Sequence, residues 1–300
     1  MTHARSLHGI LLAGGTGSRL YPITAGTNKH LLPVYDKPMI YYSLSTLMLA
    51  GIRDVVLITN PGDVERFERL LGDGHHLGLR ITYRTQAQAR GIAEAFLLAE
   101  DIVAGYPVAL ALGDNLLYGS GFTGLLQSAV LRLTLSGGAV IFGAKVENPR
   151  EYGVAQVDAE GRVTGLEEKP AEPKSPWAVP GLYFYDARVV GLARDLAPSA
   201  RGELEITDLN RRYLESGELH LMRFPRGMTW LDTGSPDQLA EAADFVRTLE
   251  RRTGLMVGCV EEIAWRQKFI SDDALLTAAE RWGKTPYAAY LRALPHDAAY

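Results

Sequence analysis

Along the N-terminal part of the chain, short unbroken apolar runs alternate with stretches of helical period. Residues 9–13, 54–60, 80–86 and 108–112 read as strands, and the first is apolar throughout, as in a strand covered on both faces. Between them, residues 39–50, 63–71 and 92–103 read as helices, the first with Pro38 near its start. This alternation predicts a mostly parallel sheet with helices on both faces, which binds ligands beyond the carboxyl ends of its strands. After Gly137 the pattern changes to strands at 139–146, 153–157, 162–166 and 179–185, a mixed insertion extending the same sheet. Residues 171–180 are proline-rich and read as a loop. From Pro236 onward helical period dominates, and Leu239, Ala243, Phe245, Val246 and Leu249 fall on one helix face. There is no linker, repeat or low-complexity run. The chain therefore reads as one α/β catalytic domain, residues 1–240, with a helical segment, 241–300, packed on it.

Composition narrows the possibilities. With 300 residues, 47% hydrophobic and 22% charged, the mixture is that of a globular protein and excludes extended disorder. A net charge of -4 and a pI near 6.0 argue against coating nucleic acid or an anionic membrane by bulk charge. The single cysteine, Cys259, excludes an intrachain disulfide and a cysteine-based zinc site. Residues 1–8 are polar, and the longest apolar runs fall far short of the roughly 20 residues of a membrane helix. The expectation is a cytoplasmic protein with no nucleic-acid or membrane partner.

The strongest local signal is Leu12-Ala-Gly-Gly-Thr-Gly-Ser-Arg-Leu20, directly after the first strand. Backbone amides there can cradle a phosphate, glycines permit close approach, and Arg19 adds a planar fork for phosphate oxygens. A P-loop would need Gly-Lys-Ser/Thr, which is missing. A dinucleotide fingerprint finds Gly15-Thr16-Gly17 but Leu20 in place of the third glycine, with Asp36 a weak candidate for its acid. Taken alone, the cluster is equally a tight turn.

Two carboxylates stand at the ends of apolar runs, Asp114 after residues 108–112 and Asp232 after Trp230-Leu231. A carboxylate so placed is costly without a partner. The pair suits Mg²⁺, which prefers oxygen ligands, or simply caps two turns. Lys169, in Glu167-Glu168-Lys169-Pro170, reads by itself as part of a solvated charge cluster. His75 and His76 read as solvent-facing, and no spacing suggests zinc.

The glycine loop is followed in order by Lys29, Leu31-Leu32-Pro33-Val34 and Lys37-Pro38. The whole run resembles the signature of the sugar-1-phosphate nucleotidylyltransferases, or nucleotide-sugar pyrophosphorylases. Later segments repeat the match: Leu112-Gly-Asp-Asn115, Tyr152-Gly-Val154, Leu166-Glu-Glu-Lys-Pro170, Gly181-Leu-Tyr-Phe-Tyr-Asp186, residues 199–208 and Trp230-Leu-Asp-Thr-Gly234. The resemblance covers nearly the whole chain. It implies a Rossmann-like nucleotidyltransferase fold: a mixed, mostly parallel central sheet flanked by helices, with a C-terminal helical appendage.

It also implies an activity, transfer of a deoxythymidylyl group from dTTP to glucose 1-phosphate with Mg²⁺. Use of UTP or another hexose phosphate, and a non-catalytic nucleotide-sugar sensor, are the alternatives. The attacking phosphate has a second pKa of about 6, so no general base is called for. The task is to neutralise and align two polyanions. By resemblance, Arg19, Lys29 and Lys169 are the catalytic cations, and Asp114 and Asp232 hold the metal. Leu12, Gly14, Gly15, Thr16, Gly17, Gln86, Gly91 and Asp114 bind nucleotide, with Gln86 and Gly91 reading the pyrimidine edge. Asn115, Tyr152, Gly153, Glu168, Lys169 and Val179 hold the sugar phosphate. Tyr118, Gly119, Arg226, Glu262, Ile263 and Arg266 correspond to a secondary nucleotide site at subunit contacts of a homotetramer. The chain departs from the pattern at residues 87–90, where proline and an acid are common, and at His30, where glutamine is common. His30 reads equally as a nucleotide contact or a packing residue.

Overall fold

Four strands, His8–Ala13, Asp54–Thr59, Arg80–Thr85 and Val108–Leu112, pair in parallel, with His8–Ala13 between Asp54–Thr59 and Val108–Leu112. The computed structural model describes residues 6–296. Most of the polar stretch 1–8 and the last four residues of the C-terminal segment lie outside the described residues. Ile10, Leu11 and Ala13 are fully buried, in keeping with the apolar run over residues 9–13, and the strand begins one residue earlier at the buried His8. Helices Ile40–Leu49 and Val64–Leu71 make the crossovers where the pattern predicts them. The single helix expected over 92–103 is two, Glu94–Leu98 and Glu100–Val103, broken at the buried Ala99. The break lets Phe96 and Val103 both enter one core cluster.

Beyond this parallel unit, Leu182–Tyr185 runs antiparallel between Val108–Leu112 and Ala139–Lys145. Trp177–Ala178, Gly153–Val157 and Val163–Glu168 extend the sheet antiparallel to its edge, and Leu219–Arg223 lies parallel beside Ala139–Lys145. The mixed insertion is as expected. The strand Trp177–Ala178 falls inside the segment read as a loop; it bridges two strands with two residues, too few to leave a period in the sequence. Apolar clusters cover both faces of the sheet, one including the helix Phe122–Ser136 and the other Ile206–Glu215.

A small separate sheet decides where the site sits. Asn115–Tyr118 pairs antiparallel with Thr229–Asp232, and the register puts Asp232 opposite Asn115. Residues far apart in sequence thereby meet at the carboxyl end of Val108–Leu112.

The helix Pro236–Thr253 starts with Ser235 accepting from the Gln238 amide and runs across position 240. Its Ala242 and Val246 pack with Leu20, Val34, Met39 and Leu116, flanked by Leu239, Ala243, Phe245 and Leu249, the face the pattern predicts. Helices Val260–Arg266, Asp272–Arg281 and Pro286–Ala293 follow, with their own cluster around Cys259, Leu275 and Leu291. Lys37, 2% exposed, ties helix Pro236–Thr253 to the segment before helix Ile40–Leu49 through ion pairs with Asp36 and Glu250. Asp36 is thereby taken, which removes the dinucleotide reading. Among the described residues no helix is long and apolar enough to cross a membrane.

Candidate active site

The glycine loop leaves the first strand at Gly14, with Gly15 and Gly17 at φ +94° and +59°. A side chain at Gly17 would press on Thr24 and Lys29 at 3.2–3.3 Å. Three polar residues that the sequence reading did not single out hold the loop. Asn60 accepts from Gly15 N at 3.1 Å and returns a bond to Gly15 O at 3.1 Å. Asn28 donates to Ala13 O and to Asp63 Oδ2, and Asp63 Oδ2 also accepts from Asn60. Asn28 Oδ1 accepts from His30 N, capping the turn Lys29–Leu31. The available signal was position: Asn60 ends a strand just before Pro61-Gly62.

That cap aims Lys29 at Asp114. Lys29 Nζ donates to Asp114 Oδ2 at 2.6 Å, and Asn115 Nδ2 donates to Asp114 Oδ1 at 2.9 Å. Burial opposes the charge on Asp114. Lys29, His30 and the two hydrogen bonds outweigh it and hold the carboxyl at about 2. Asp232 is shifted the other way: burial and the charge of Asp114 raise it, against the pull of Lys29 and Arg19. The hydroxyl of Thr233 donates to Asp114 O at 2.9 Å, binding the two carboxylate segments together. His30 is 4% exposed, and burial lowers it to about 4, so its ring is neutral at pH 7. Its Nδ1 meets Asn28 Oδ1 at 2.9 Å while the residue also lines the cavity.

Two cavities meet here. One is lined by Gly14, Thr16, Gly17, Lys29, His30 and Gly234, the other by Tyr152, Gly153, Glu168, Lys169, Val179 and Asp232; Arg19 and Asp114 line both. Arg19 lies across Gly234, where a Cβ would come within 2.8 Å of the guanidinium. In the second cavity Glu168 Oε2 accepts from Thr207 Oγ1 at 2.7 Å. A side chain at Gly153 would crowd that carboxylate at 3.3 Å. Thr207 thus serves Glu168 at the start of helix Ile206–Glu215. Lys169 is exposed with its backbone at φ +45°, a conformation that costs about 1–3 kcal/mol and turns the residue out of the strand. Tyr152 packs against Trp230 at 4.6 Å between centroids. Trp230 Nε1 and Gly181 N both donate to Asn115 Oδ1, at 2.7 and 2.9 Å. Trp230, Thr207 and Asn210 also line this cavity, beyond the residues singled out from the sequence.

Leu12 is the penultimate residue of the first strand and lines neither cavity; its carbonyl accepts from Gly113 N. Gln86 and Gly91 bracket a loop on the glycine-loop side. Gln86 Nε2 donates to Glu94 Oε2 at 2.8 Å and to Gly91 O at 3.2 Å. Gly91 has φ +95°, and a Cβ there would strike Leu204 O at 2.3 Å.

The secondary set is dispersed, and two of its members, Arg226 and Arg266, line separate grooves. Arg226 lines one with Lys145, Trp177 and Met228, and a Cβ on Gly119 would meet Met228. Tyr118 stacks edge-on against Phe245 at 6.1 Å. Arg266 lines the other with Trp265 and Lys268, and it bonds Glu262 at 2.7 Å. Glu262 also accepts from Tyr290, and Ile263 packs on the core. His75 is exposed, whereas His76 is half-buried and accepts from Arg281.

A sheet with a glycine loop, a paired lysine and two carboxylates at its carboxyl end defines an enzyme that handles phosphates. The chain belongs to the nucleotidyl transferase family, whose model matches residues 8–248. Within that family it groups with the glucose-1-phosphate thymidylyltransferases. The enzyme of that name from Mycolicibacterium smegmatis is 52% identical over 95% of this chain and 98% of its own length. Those of Mycobacterium tuberculosis and Neisseria meningitidis are 54% and 51% identical over the same shares. A Bacillus anthracis crystal structure, assigned provisionally to the same activity and holding sucrose, superposes with a TM-score of 0.74 at 41% identity, covering 81% of this chain and 96% of that one. A UDP-glucose pyrophosphorylase, 23% identical with a TM-score of 0.71 over 82% of this chain and 99% of that one, shares the fold.

Proposed function

We propose that the chain transfers a deoxythymidylyl group from dTTP to α-D-glucose 1-phosphate, releasing dTDP-glucose and pyrophosphate. The observation that carries this reading is the shared wall of the two cavities, Arg19 and Asp114, with Lys29 paired to Asp114 at 2.6 Å. The glycine-loop cavity takes the triphosphate, and the Tyr152–Lys169 side takes the sugar phosphate. Gly14, Thr16 and Gly17 offer backbone amides to the triphosphate, while Gly15, whose own amide is held by Asn60, supplies the turn that presents them. Lys169 neutralises the sugar phosphate, and Glu168, held by Thr207, accepts from sugar hydroxyls. A phosphate oxygen of the sugar phosphate then attacks the α-phosphorus in line, and the bond to the bridging β-phosphate oxygen breaks. Arg19 and Lys29 sit where the charge develops. No proton need be removed, because the second pKa of the sugar phosphate, about 6, leaves it mostly dianionic at pH 7.

The donor set fits a hard divalent cation. Asp114 and Asp232 are close enough for the charge of one to raise the other, and no third His, Cys, Asp or Glu joins them among the described residues. Mg²⁺ binds through one or two carboxylates and keeps positions for water and phosphate. Once bound, it would supply Lewis-acid neutralisation of the phosphates.

Several extensions belong to the same proposal. Residues 1–240 form the catalytic unit and 241–300 serve subunit contacts in a homotetramer, working in the cytoplasm. The grooves at Tyr118, Gly119, Arg226, Glu262, Ile263 and Arg266 bind the nucleotide-sugar product as an inhibitor. Light scattering that finds a monomer at micromolar concentration would refute the assembly. Inhibition by dTDP-glucose that Arg226→Ala leaves untouched would refute that role for Arg226.

The activity itself is tested by pyrophosphate release with Mg²⁺, scanning dTTP, UTP, CTP, ATP and GTP against glucose 1-phosphate. The expected result is preference for dTTP, with UTP a weaker substrate because one methyl group separates the bases and discriminates by only about 1–3 kcal/mol. Preference for a purine triphosphate, or no release with any pair, would overturn the proposal.

A further inference from the structure

We infer that Glu94 fixes which way the Gln86 amide faces, and so selects nucleobases that present a ring N–H. This rests on the reading of Gln86 and Gly91 as the base subsite. Gln86 Nε2 lies between two groups that only accept hydrogen bonds, the Glu94 carboxylate at 2.8 Å and the Gly91 carbonyl at 3.2 Å. A flipped amide would turn its oxygen toward both of them and lose both bonds. The orientation is therefore dictated by chemistry, and both amide hydrogens are used within the protein. What remains is Oε1. It faces Gly14, 3.5 Å from where a Cβ on that residue would stand. Gly14 lines the cavity with Thr16, Gly17, Arg19 and Lys29.

An acceptor aimed there asks for a donor. Thymine and uracil present N3–H, whereas cytosine has a lone pair at N3, which would meet Oε1 lone pair to lone pair. A glutamine free to flip would serve either base, because its amide both donates and accepts. Glu94 removes that freedom. It sits at the first residue of helix Glu94–Leu98 and acts through Gln86, so it is a positioning residue. The selection it imposes is for an imide over an aminopyrimidine. It does not separate thymine from uracil, which carry the same N3–H.

The test compares wild type, Glu94→Ala and Glu94→Gln with dTTP, UTP and CTP at saturating glucose 1-phosphate. Ala removes the acceptor and suits a helix, while Gln keeps an acceptor in its side-chain carbonyl. Glu94→Ala is expected to raise KM for dTTP and UTP about tenfold, the low end for a hydrogen bond to a charged group, since Gly91 still holds the amide. Its kcat/KM preference for dTTP over CTP should fall by a similar factor. The ratio of dTTP to UTP, kcat, and KM for glucose 1-phosphate should stay within about twofold. Glu94→Gln should recover most of the preference, which general loosening of the helix would not predict. Wild-type KM for dTTP and wild-type preference over CTP in Glu94→Ala would overturn the inference. Gln86→Leu separates the two levels. If it loses the preference while Glu94→Ala keeps it, the inference about Glu94 alone fails. If it too behaves as wild type, the base subsite itself has been misplaced, and the inference falls with it.

Discussion

The Lys29–Asp114 pair gives a prediction with a definite size. The Asp114 carboxyl is held at about 2 against an ordinary 3.8. At 1.36 kcal/mol per unit, its charge contributes about 2 kcal/mol to the folded state at neutral pH. Because the folded value lies below the unfolded one, the contribution is complete above pH 3.8 and disappears as the pH falls toward 2. Asp114→Asn keeps the size and removes the charge, leaving Lys29, 8% exposed, without its anion. At pH 7 in EDTA this should cost about 2 kcal/mol, seen as a lower urea midpoint at unchanged slope. The same cost should persist at pH 5, still above the unfolded value. In a Lys29→Met background the sign should change. There the wild-type carboxylate is the uncompensated charge, so Asp114→Asn should be neutral or stabilising. The double-mutant cycle should therefore return a coupling of at least about 2 kcal/mol. Equal costs of Asp114→Asn in both backgrounds would refute the reasoning, because the stabilisation would then owe nothing to Lys29. In the assay of pyrophosphate release, Asp114→Asn should lose about 100-fold or more in kcat, the scale for a preorganised electrostatic group.

Three other predictions follow from the geometry. Gly91→Ala places a Cβ 2.3 Å from Leu204 O on a backbone at φ +95°; it should destabilise by about 1–3 kcal/mol in urea unfolding and raise KM for dTTP more than for glucose 1-phosphate. Lys37→Met leaves Asp36 and Glu250 without their cation at a position 2% exposed; a loss of about 3–5 kcal/mol is expected, measured by the same method. His30 is held at about 4 by burial against an ordinary 6.5, so the unfolded chain takes up a proton that the folded one refuses. Stability should therefore fall by about 2 kcal/mol between pH 7 and 5, and His30→Gln, compared over the same range, should remove that slope.

The parallel half of the fold was legible because it obeys a local rule. Strands buried on both faces are apolar runs, and the helices between them carry their own period. Thus 9–13, 54–60, 80–86 and 108–112 all appear as strands within a residue or so of their limits. What escaped was set by pairing. Trp177–Ala178 is a strand because of its two neighbours, and Thr229–Asp232 because of Asn115–Tyr118. The same division runs through the site. Asp114, Asp232, Lys29 and Arg19 stood out as charged groups at the ends of apolar or glycine-rich runs. Asn28, Asn60, Asp63 and Glu94 are ordinary polar residues in ordinary places, and only the folded chain gives them partners.

Asn115 shows how much depends on one such partner set. Its Oδ1 takes hydrogen bonds from Trp230 and Gly181, and its amide donates to Asp114. One buried side chain therefore joins the small sheet, the large sheet and the first carboxylate. The consequence is register. In a paired strand a slip of one residue turns every side chain to the opposite face. If Thr229–Asp232 slipped against Asn115–Tyr118, Asp232 would leave the cavity and Leu231 would replace it. The bond from Trp230 Nε1 to Asn115, two residues before Asp232, allows one alignment and no other. An apolar residue at 115 would leave Gly181 N buried without an acceptor, at about 1–3 kcal/mol, and would release half-buried Trp230 Nε1 from its place. The polar cluster thus holds the two carboxylates at one separation, close enough that the charge on Asp114 raises Asp232. It is that separation, rather than either aspartate alone, that a divalent cation and two phosphates would have to match.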